Sequence, residues 1–455
     1  MTGRGLLVGL TAASVGIIYG YDLSSIAGAL LFLPHQFGLT IPQEGLVTTM
    51  VVLGQICGAL GGGVLADAIG RKKSMVLILI GYALFALLGA TAVSLPILLV
   101  ARLLLGVTIG VSVVVVPVYV AESAPAAVRG RLLTAYQFAT LTGIIVGYLV
   151  GYLLAGTGSW RWMLGLAAVP AVLLLPLLLR MPDTARWYLL KGRTDEARRA
   201  LLRIEPADVA ETEMAEIAGA VSEGRGTVSE MLRRPYLRAT LFVVALGFLV
   251  QITGINAIVY YSPQLFADMG FEGNFGKLAL PAMIQVAALA AVCVSLSLVD
   301  RLGRRPILLS GIAMMIVADA VLVAFYPKDT GHQGGLALAL GFGGVLLFTV
   351  GFNFGFGSLV WVFAGESFPA PLRSMGSSVM LTSNLVANTL IAAFFLTVLN
   401  WLGGATVFAT FGTFAVIALI VVYRFAPETK GRELEDIRHF WENGGRWPRQ
   451  SVESA

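Results

Sequence analysis

The sequence predicts an all-α, polytopic membrane protein with twelve transmembrane helices in two pseudo-symmetric six-helix bundles. Of its 455 residues, 57% are hydrophobic and 13% are charged, and its mean hydropathy is +0.84. A soluble domain carries roughly 25% charged residues, so the composition excludes a soluble globular protein. The apolar runs have the length of bilayer-spanning helices, and charged motifs recur in the second half of the chain.

Apolar runs of about 20 residues, broken by Gly, Pro or charged residues, predict the spans. They cover residues 6–33, 44–66, 74–93, 96–121, 132–155, 161–180, 237–267, 277–299, 306–326, 337–365, 374–399 and 401–424. The first run is too long for a signal peptide and lacks a small-residue cleavage pattern, so we expect it to remain as a span. The predicted domains are an N-terminal bundle (1–180), a cytoplasmic helical linker (181–236), a C-terminal bundle (237–424) and a cytoplasmic tail (425–455).

The distribution of basic residues predicts the orientation. With the N-terminus in the cytoplasm, only Arg161, Lys277 and Lys328 lie in outside loops and Arg102 lies inside a span. All other Lys and Arg residues are then cytoplasmic, as the positive-inside rule requires. Both termini are therefore predicted to be cytoplasmic, and the net charge of +5 needs no nucleic-acid partner. Short loops without an outside N-x-S/T site favour a bacterial inner membrane, that is, a multi-pass plasma-membrane protein.

Three motifs occur twice in the same order. They are DAIGRKK at Asp67 and DRLGRR at Asp300, ESAPAAVRGR at Glu122 and ESFPAPLR at Glu366, and PDTAR at Pro182 and PETKGR at Pro427. The nearly constant offsets indicate duplication of a six-span unit. Parallel repeats of this kind are typical of transporters that bind substrate near the bilayer midplane and alternate access by rocking.

The repeated motifs place acidic and basic residues in adjacent turns at span ends, where ion pairs can latch one face closed and release it. The alternative is that these charges only set topology. Acidic residues contribute little to orientation, so the paired signs favour a latch. The predicted cytoplasmic latch consists of Asp67, Arg71, Glu122 and Arg129 in the first half, and Asp300, Arg304, Glu366 and Arg373 in the second.

These motifs, with PDTARWYLLKGR, QITGINAIVYYSP and GFGSLVWVFAGESFPAPLR, cover nearly the whole chain in order. In this combination the sequence resembles the sugar porter family of the major facilitator superfamily. The resemblance implies twelve helices in two six-helix bundles, a cytoplasmic helical domain between them, and a monosaccharide as cargo.

Three ionisable residues lie within spans: Asp22, Arg102 and Asp319. Each costs ~2.5–3.5 kcal/mol or more on insertion, so each is a functional hypothesis. Asp22 and Arg102 both fall in the outer part of the bilayer by residue count, so they can pair. A carboxylate that exchanges an arginine partner for a proton can couple transport to a proton gradient, and the alternative is a permanent structural ion pair.

The resemblance favours coupling, because proton-coupled members of the family have Asp and Arg at the positions of Asp22 and Arg102. Passive facilitators have Asn in place of the Asp. We therefore expect proton symport, with the proton as the coupling ion. Asp319 falls on a helix that is peripheral in the resembled fold, which favours a hydrogen-bonded structural acid over a second proton site.

A monosaccharide is neutral, so its recognition needs amide and hydroxyl groups that donate and accept, and an aromatic face for the ring. Seven amides lie in apolar spans: Gln137, Gln251, Asn256, Gln285, Asn353, Asn384 and Asn388. Any one of them can instead join helices to each other. The resemblance implies sugar contacts at Gln137, Gln251, Asn256 and Asn384, an aromatic platform at Trp361, a further aromatic contact at Tyr19, and an outer gate at Tyr260 and Tyr261.

The sequence also departs from the family pattern. Val250 replaces the first of two successive Gln, Ala288 replaces an Asn, Leu385 replaces a Trp, and Asn353 replaces an acidic residue. The predicted pocket is less polar than the usual glucose site. Glucose, pentoses, other hexoses, deoxysugars and polyols therefore all remain open as cargo.

Together these features predict a proton-coupled monosaccharide symporter working by alternating access. The alternatives are a passive uniporter of the same fold and a non-transporting sugar receptor, which the short tail disfavours. An enzyme is disfavoured because no catalytic constellation can be assembled. The two Cys and three His residues are too scattered for a disulfide framework or a metal site, so we expect no cofactor besides the proton. We expect a monomer, because the pathway lies within one chain.

Overall fold

The computed structural model describes residues 3–124, 129–204, 206–222, 227–326 and 335–430, and residues 437, 439–441, 443 and 447. Side chains are not described at a few helical positions, including Arg129. Helices are the regular elements throughout this described part, which contains no β-strand. The predicted all-α class is therefore confirmed.

The N-terminal half follows the predicted order of spans. The first span consists of Gly3–Ala13 and Gly16–Ala29, followed by the short helix Leu33–Phe37. The second to fifth spans are Ile41–Ile69, Arg71–Ala90, Leu95–Ser123 and Arg129–Ala155, and the sixth consists of Trp160–Gly165 and Ala168–Leu179. Four short helices follow in the linker: Ala185–Leu190, Thr194–Leu202, Ala207–Ser222 and Val228–Met231.

The C-terminal half repeats this order with more interruptions. The seventh span consists of Leu237–Ile252 and Ile255–Asp268, and the eighth of a π-helical turn, Phe275–Ala279, and Leu280–Leu302. The ninth is Arg304–Phe325, and the tenth runs through Gly335–Phe352, the π-helical turn Asn353–Gly357 and Ser358–Glu366. The eleventh and twelfth spans lie in one helical stretch, Ala370–Phe425.

Ten segments of the described chain are long and apolar enough to cross a bilayer. The difference from twelve predicted spans comes from the first span and from the last two. The first span is divided around Ser14 and Val15 into two helices that are each too short to count. The eleventh and twelfth spans count once because they are contiguous. Gly403, with φ of 76°, interrupts the helix between them in a conformation that glycine adopts without steric strain.

The chain forms two compact units. The first comprises 1–223, 256–286 and 392–400, and the second comprises 224–255, 287–391 and 401–455. Segments 256–286 and 392–400, which the domain prediction assigns to the second bundle, thus pack within the first unit.

Glycines bring the helices of the first unit close together. The second span packs on the fourth, where a Cβ at Gly106 would overlap the carbonyl oxygen of Val51. The first span packs on the fifth, where a Cβ at Gly20 would overlap the carbonyl oxygen of Thr140. Small residues allow such close approach where lipid gives no hydrophobic drive for helix association. The helix that carries Asp22 is thereby held against its neighbour.

In the second unit, the ninth span packs on the tenth. The contact passes through Gly311, Gly351 and Gly355, whose backbones approach each other too closely for side chains. Large apolar residues such as Leu60, Val64, Leu153 and Trp401 are exposed on the outside of the helices of both units, as expected for surfaces that face lipid.

Candidate functional site

Asp22 and Arg102 form an ion pair inside the first unit. The Nη1 atom of Arg102 lies 2.5 Å from Oδ1 of Asp22, and Nη2 lies 3.5 Å from Oδ2. Both residues are 3% exposed. The predicted pairing of these two residues, which are 80 positions apart in sequence, is therefore confirmed.

The surroundings of this pair are aromatic. Tyr19, Tyr21 and Tyr82 are within electrostatic reach of Asp22. The hydroxyl of Tyr21 donates to the carbonyl of Met163 at 2.8 Å, and Tyr82 is fully buried. Water has little access, so each charge depends on the other for stabilisation. A proton can replace the guanidinium as the partner that neutralises the carboxylate.

An amide cluster occupies the second unit. The Nε2 atom of Gln251 donates to Oδ1 of Asn388 at 3.2 Å, and Nδ2 of Asn384 is 3.4 Å from Oε1 of Gln251 and 3.3 Å from the carbonyl of Gly247. Gln251 and Asn388 are buried. The seventh and eleventh spans therefore share a hydrogen-bonded set of groups that can both donate and accept.

The seventh span is interrupted directly after Gln251. Gly254 has φ of 101°, a region that L side chains rarely adopt, and a Cβ there would overlap the ring of Phe411. Interrupted helices are typical of transporter binding sites, because their free backbone groups face a cavity. Gln251 lies in the last turn of the helix Leu237–Ile252 and belongs to the second unit. Asn256 lies in the first turn of the helix Ile255–Asp268 and belongs to the first unit, with Nδ2 3.4 Å from the Tyr260 hydroxyl.

The other predicted sugar contacts are distributed over the two units. Tyr19 and Gln137 are half-buried in the first unit, and Trp361 is 43% exposed in the second. Their sugar-binding roles remain predictions from the family resemblance.

The predicted outer-gate tyrosines are buried in the first unit. The hydroxyl of Tyr261 donates to the carbonyl of Ala392 at 2.7 Å, and its ring stacks on Phe395 with centroids 5.3 Å apart. Tyr260 packs edge-on against Tyr261. Tyr148 of the fifth span donates its hydroxyl to the carbonyl of Val259. The second helix of the seventh span and the last residues of the eleventh span are thus bonded into the first unit.

The first-half latch residues form one network at the ends of the second, third and fourth spans. Arg71 lies 3.0 Å from Asp67 through Nη1 and 3.0 Å from Glu122 through Nε. Thr184, at the start of the linker, donates its hydroxyl to Glu122 at 2.7 Å. The side chain of Arg129 lies outside the described part.

The second-half latch is less complete. Arg304 is 3.4 Å from Asp300. Glu366 is within electrostatic reach of Arg304 and Arg373, but its Oε2 atom has no hydrogen-bond partner among the described residues, and neither does Nε of Arg373. Each of the described ion pairs joins residues of the same unit.

Sequence analysis missed two acidic residues that organise these networks. Oδ1 of Asp183 accepts hydrogen bonds from the backbone N–H groups of Arg71 and Lys72 at 3.0 and 3.3 Å. The two carboxylate oxygens of Glu428 accept from the N–H groups of Arg304 and Arg305, both at 3.1 Å. The sequence did contain a signal for these two residues, because both acids belong to the third repeated motif. Asn388 was likewise recognised as an amide but not as part of the site, although it lies one turn after Asn384.

The expected hydrogen bond of Asp319 is absent. Asp319 is 1% exposed, and neither carboxylate oxygen has a hydrogen-bond partner in the described chain. Gly412 of the twelfth span lies against it, since a Cβ there would be 3.1 Å from that of Asp319. The prediction of a hydrogen-bonded structural acid is therefore wrong in this respect, because the residue that lies against Asp319 is Gly412, which has no side chain to bond to it.

Comparison with known proteins identifies the family. The model of the family "Sugar (and other) transporter" matches residues 8–441. The chain belongs to this family. The galactose-proton symporter of Escherichia coli K12 is 33% identical over 428 residues, which cover 94% of this chain and 92% of that protein. The glucose transporter GlcP of Staphylococcus epidermidis is 34% identical over 438 residues, covering 95% and 96%.

The fold of this family member is that of the major facilitator superfamily. The partially occluded inward-open structure of the xylose transporter XylE from E. coli superposes with a TM-score of 0.83 at 24% identity, covering 95% of this chain and 100% of that one. The sequence-based assignment to the sugar porters, with their two six-helix bundles, is thereby confirmed. The protein is a multi-pass membrane transporter, since the family and its relatives are transporters and not enzymes.

Proposed function

We propose that this transporter is a proton-coupled monosaccharide symporter that works by alternating access, with the proton as its coupling ion. The observation that carries the proposal is the buried ion pair of Asp22 and Arg102. Charged side chains inside a membrane are costly even when they are paired, so this ion pair is expected to have a function. The name of the galactose-proton symporter, a relative at 33% identity, is consistent with this mechanism.

In the proposed cycle, Asp22 binds a proton when its contact with Arg102 loosens, and releases it when the contact re-forms. Protonation removes the charge that attracts the guanidinium, so proton binding and the movement of the fourth span relative to the first are linked. The bond lengths of 2.5 and 3.5 Å indicate that one oxygen of Asp22 is held more tightly than the other, which leaves the second better placed to receive a proton.

The cargo is a neutral sugar in this proposal. Gln251 and Asn384 provide amide groups, and Asn388 orients Gln251 through a direct hydrogen bond. Tyr19, Gln137, Asn256 and Trp361 complete the proposed set of sugar contacts. The relatives named for galactose and glucose support a hexose as the first candidate.

We assign gating to the outer-gate tyrosines, Tyr260 and Tyr261, and to the charge networks around Arg71 and Arg304. The hydrogen bonds from the hydroxyls of Tyr261 and Tyr148 to the carbonyls of Ala392 and Val259 support the proposal that the outer side is closed in this conformation. The charge networks around Arg71 and Arg304 are proposed to latch the opposite, cytoplasmic face. We place both termini in the cytoplasm and the protein in a bacterial inner membrane, as a monomer.

The test is uptake of labelled monosaccharides and inositol into liposomes that contain the purified protein, with an inward proton gradient. We expect accumulation above the external concentration, and its loss when a protonophore is added. Equilibration that a protonophore leaves unchanged would instead indicate a passive uniporter. Absence of uptake for every sugar would contradict the proposed cargo.

A further inference from the structure

A groove of about 710 Å³ lies at one end of the first unit, away from the sugar and proton sites. Its walls come from the end of the second span, the start of the third, the end of the sixth and the first linker helix, Ala185–Leu190, with the turn that follows it. Because spans end there, the groove lies at the surface of the bilayer. All its lining residues belong to the first unit.

The rim of this groove is strongly basic. Lys72, Lys73, Lys191 and Arg193 line it, and no acidic residue does. Lys72 donates from Nζ to the carbonyl of Leu179 at 2.9 Å, and Arg193 pairs with Glu196 at 2.8 Å. Within the described part of the chain, the ammonium groups of Lys73 and Lys191 make no ion pair. Both residues are exposed, so two cations are free to bind an anion.

The wall below the rim is apolar and faces lipid. Val76, Leu77 and Leu179 line it, and Leu77 and Leu179 are 50% and 53% exposed although they belong to membrane-spanning helices. Trp187 closes the inner side, and its indole N–H donates to the carbonyl of Asp67 at 3.1 Å.

We propose that this groove is a binding site for an anionic phospholipid. The phosphate would bind Lys73 and Lys191, while an acyl chain would lie along Val76, Leu77 and Leu179. A soluble anion matches the rim but gains nothing from the apolar wall, whereas a phospholipid matches both. Basic pockets between membrane helices are known to hold lipid headgroups in this way.

A second groove lies between the ninth and twelfth spans of the second unit, and its described lining is less basic. Nη2 of Arg305 donates to the carbonyl of Tyr423, which repeats the bond from Lys72 to Leu179 in the first unit. Apolar residues of the ninth and twelfth spans line this second groove, and Arg424 is the one basic residue among its described lining. Pro306 follows Arg305 where Lys73 follows Lys72. This second groove, whose described lining contains no lysine, provides an internal reference for the proposal.

The test is lipid binding to the full-length protein in detergent, measured by native mass spectrometry and by the rise in unfolding temperature on lipid addition. Phosphatidylglycerol should bind and raise the unfolding temperature, and phosphatidylcholine should not. In K73Q/K191Q we expect affinity for phosphatidylglycerol to fall about 30-fold. Each lysine at the membrane surface contributes a factor of about five to six to the affinity, and the variant loses two of them. K73R/K191R should retain binding.

The matched control is R199Q/R203Q, which removes two exposed charges of the linker that do not line the groove. It should bind phosphatidylglycerol as the unmodified protein does. The proposal is overturned if K73Q/K191Q binds phosphatidylglycerol normally, or if the control loses as much affinity. It is also overturned if inorganic phosphate or polyglutamate stabilises the protein as much as phosphatidylglycerol, which would indicate a site for soluble anions or acidic peptides. Sugar uptake is not needed for any of these outcomes.

Discussion

At the residue scale, the proposed proton coupling depends on two neighbouring buried groups, the carboxylate of Asp22 and the guanidinium of Arg102. D22N removes the group that exchanges its partner for a proton, while the amide keeps the size of the side chain. We expect D22N to lose uphill sugar accumulation and to retain sugar exchange between the two sides at equal concentrations. Liposome uptake and counterflow measure these two activities separately. Undiminished uphill accumulation in D22N would remove Asp22 from the coupling mechanism.

The same pair also predicts a stability effect. R102Q leaves Asp22 without its partner in a site where both residues are 3% exposed, and breaking a buried pair in this way costs about 3–5 kcal/mol. The double variant D22N/R102Q contains no charge to compensate, so it should be more stable than R102Q. Thermal unfolding of the three variants in detergent tests this. A double variant no more stable than R102Q would show that the unpaired carboxylate of Asp22 is not what destabilises R102Q.

Asp319 presents the opposite case, an acid buried without a partner. Because both carboxylate oxygens lack hydrogen bonds, the replacement D319L removes a buried polar group and should leave the unfolding temperature unchanged or raise it. Proton-coupled uptake should persist in D319N. Loss of coupling in D319N with Asp22 intact would instead identify a second proton site.

The contrast between these acids shows what sequence can establish at this scale. A charged residue within an apolar span is visible at once, and a basic residue at matching depth suggests its partner. The surroundings of Asp319 could not be predicted, because they depend on Gly412, about 90 residues away, facing it across a helix contact.

At the element scale, the third and ninth spans begin in the same way. Each follows a glycine with positive φ, Gly70 at 102° or Gly303 at 98°, and the first free N–H groups of each helix bond to an acid from a distant motif. D183A and E428A should each lower stability by about 1–3 kcal/mol, because each leaves helix N-terminal donors without an acceptor. Thermal unfolding measures the loss.

The control for these variants is D195A, which removes an exposed acid from a linker helix and should change stability by less than about 0.5 kcal/mol. If D183A and D195A had equal effects, the hydrogen bonds to the start of the third span would contribute nothing measurable.

Hydropathy predicted the number and order of the spans but not where they are interrupted. The division of the first span falls within a continuous apolar run, since residues 10–18 contain no charge and no proline. The interruption at Gly254 has a glycine as its signal, yet many other glycines in the chain lie inside regular helix, where they allow close packing. Whether a glycine bends a helix or packs it therefore depends on the neighbouring helix, which sequence spacing does not contain.

At the scale of the whole molecule, duplication produced two halves with the same motifs and unequal charge networks. Glu122 accepts hydrogen bonds from both Arg71 and Thr184, whereas one oxygen of Glu366 has no partner in the described chain. The repeat predicted the shared motifs, including a Thr after the acid of the third motif in both halves, Thr184 and Thr429. It could not predict the asymmetry, because that depends on how the side chains are positioned in space and not on which residues are present.

The asymmetry leads to a prediction that compares the halves directly. E122Q weakens two charge-assisted hydrogen bonds, each worth about 1.5–3 kcal/mol, so it should lower the unfolding temperature more than E366Q does. If the first-half network also latches the cytoplasmic face, E122Q should change the rate of sugar counterflow more strongly than E366Q. Thermal unfolding and counterflow in liposomes provide the two measurements. Equal effects of the two variants on both would mean that the halves contribute equally, and that the difference between their networks has no consequence for stability or transport.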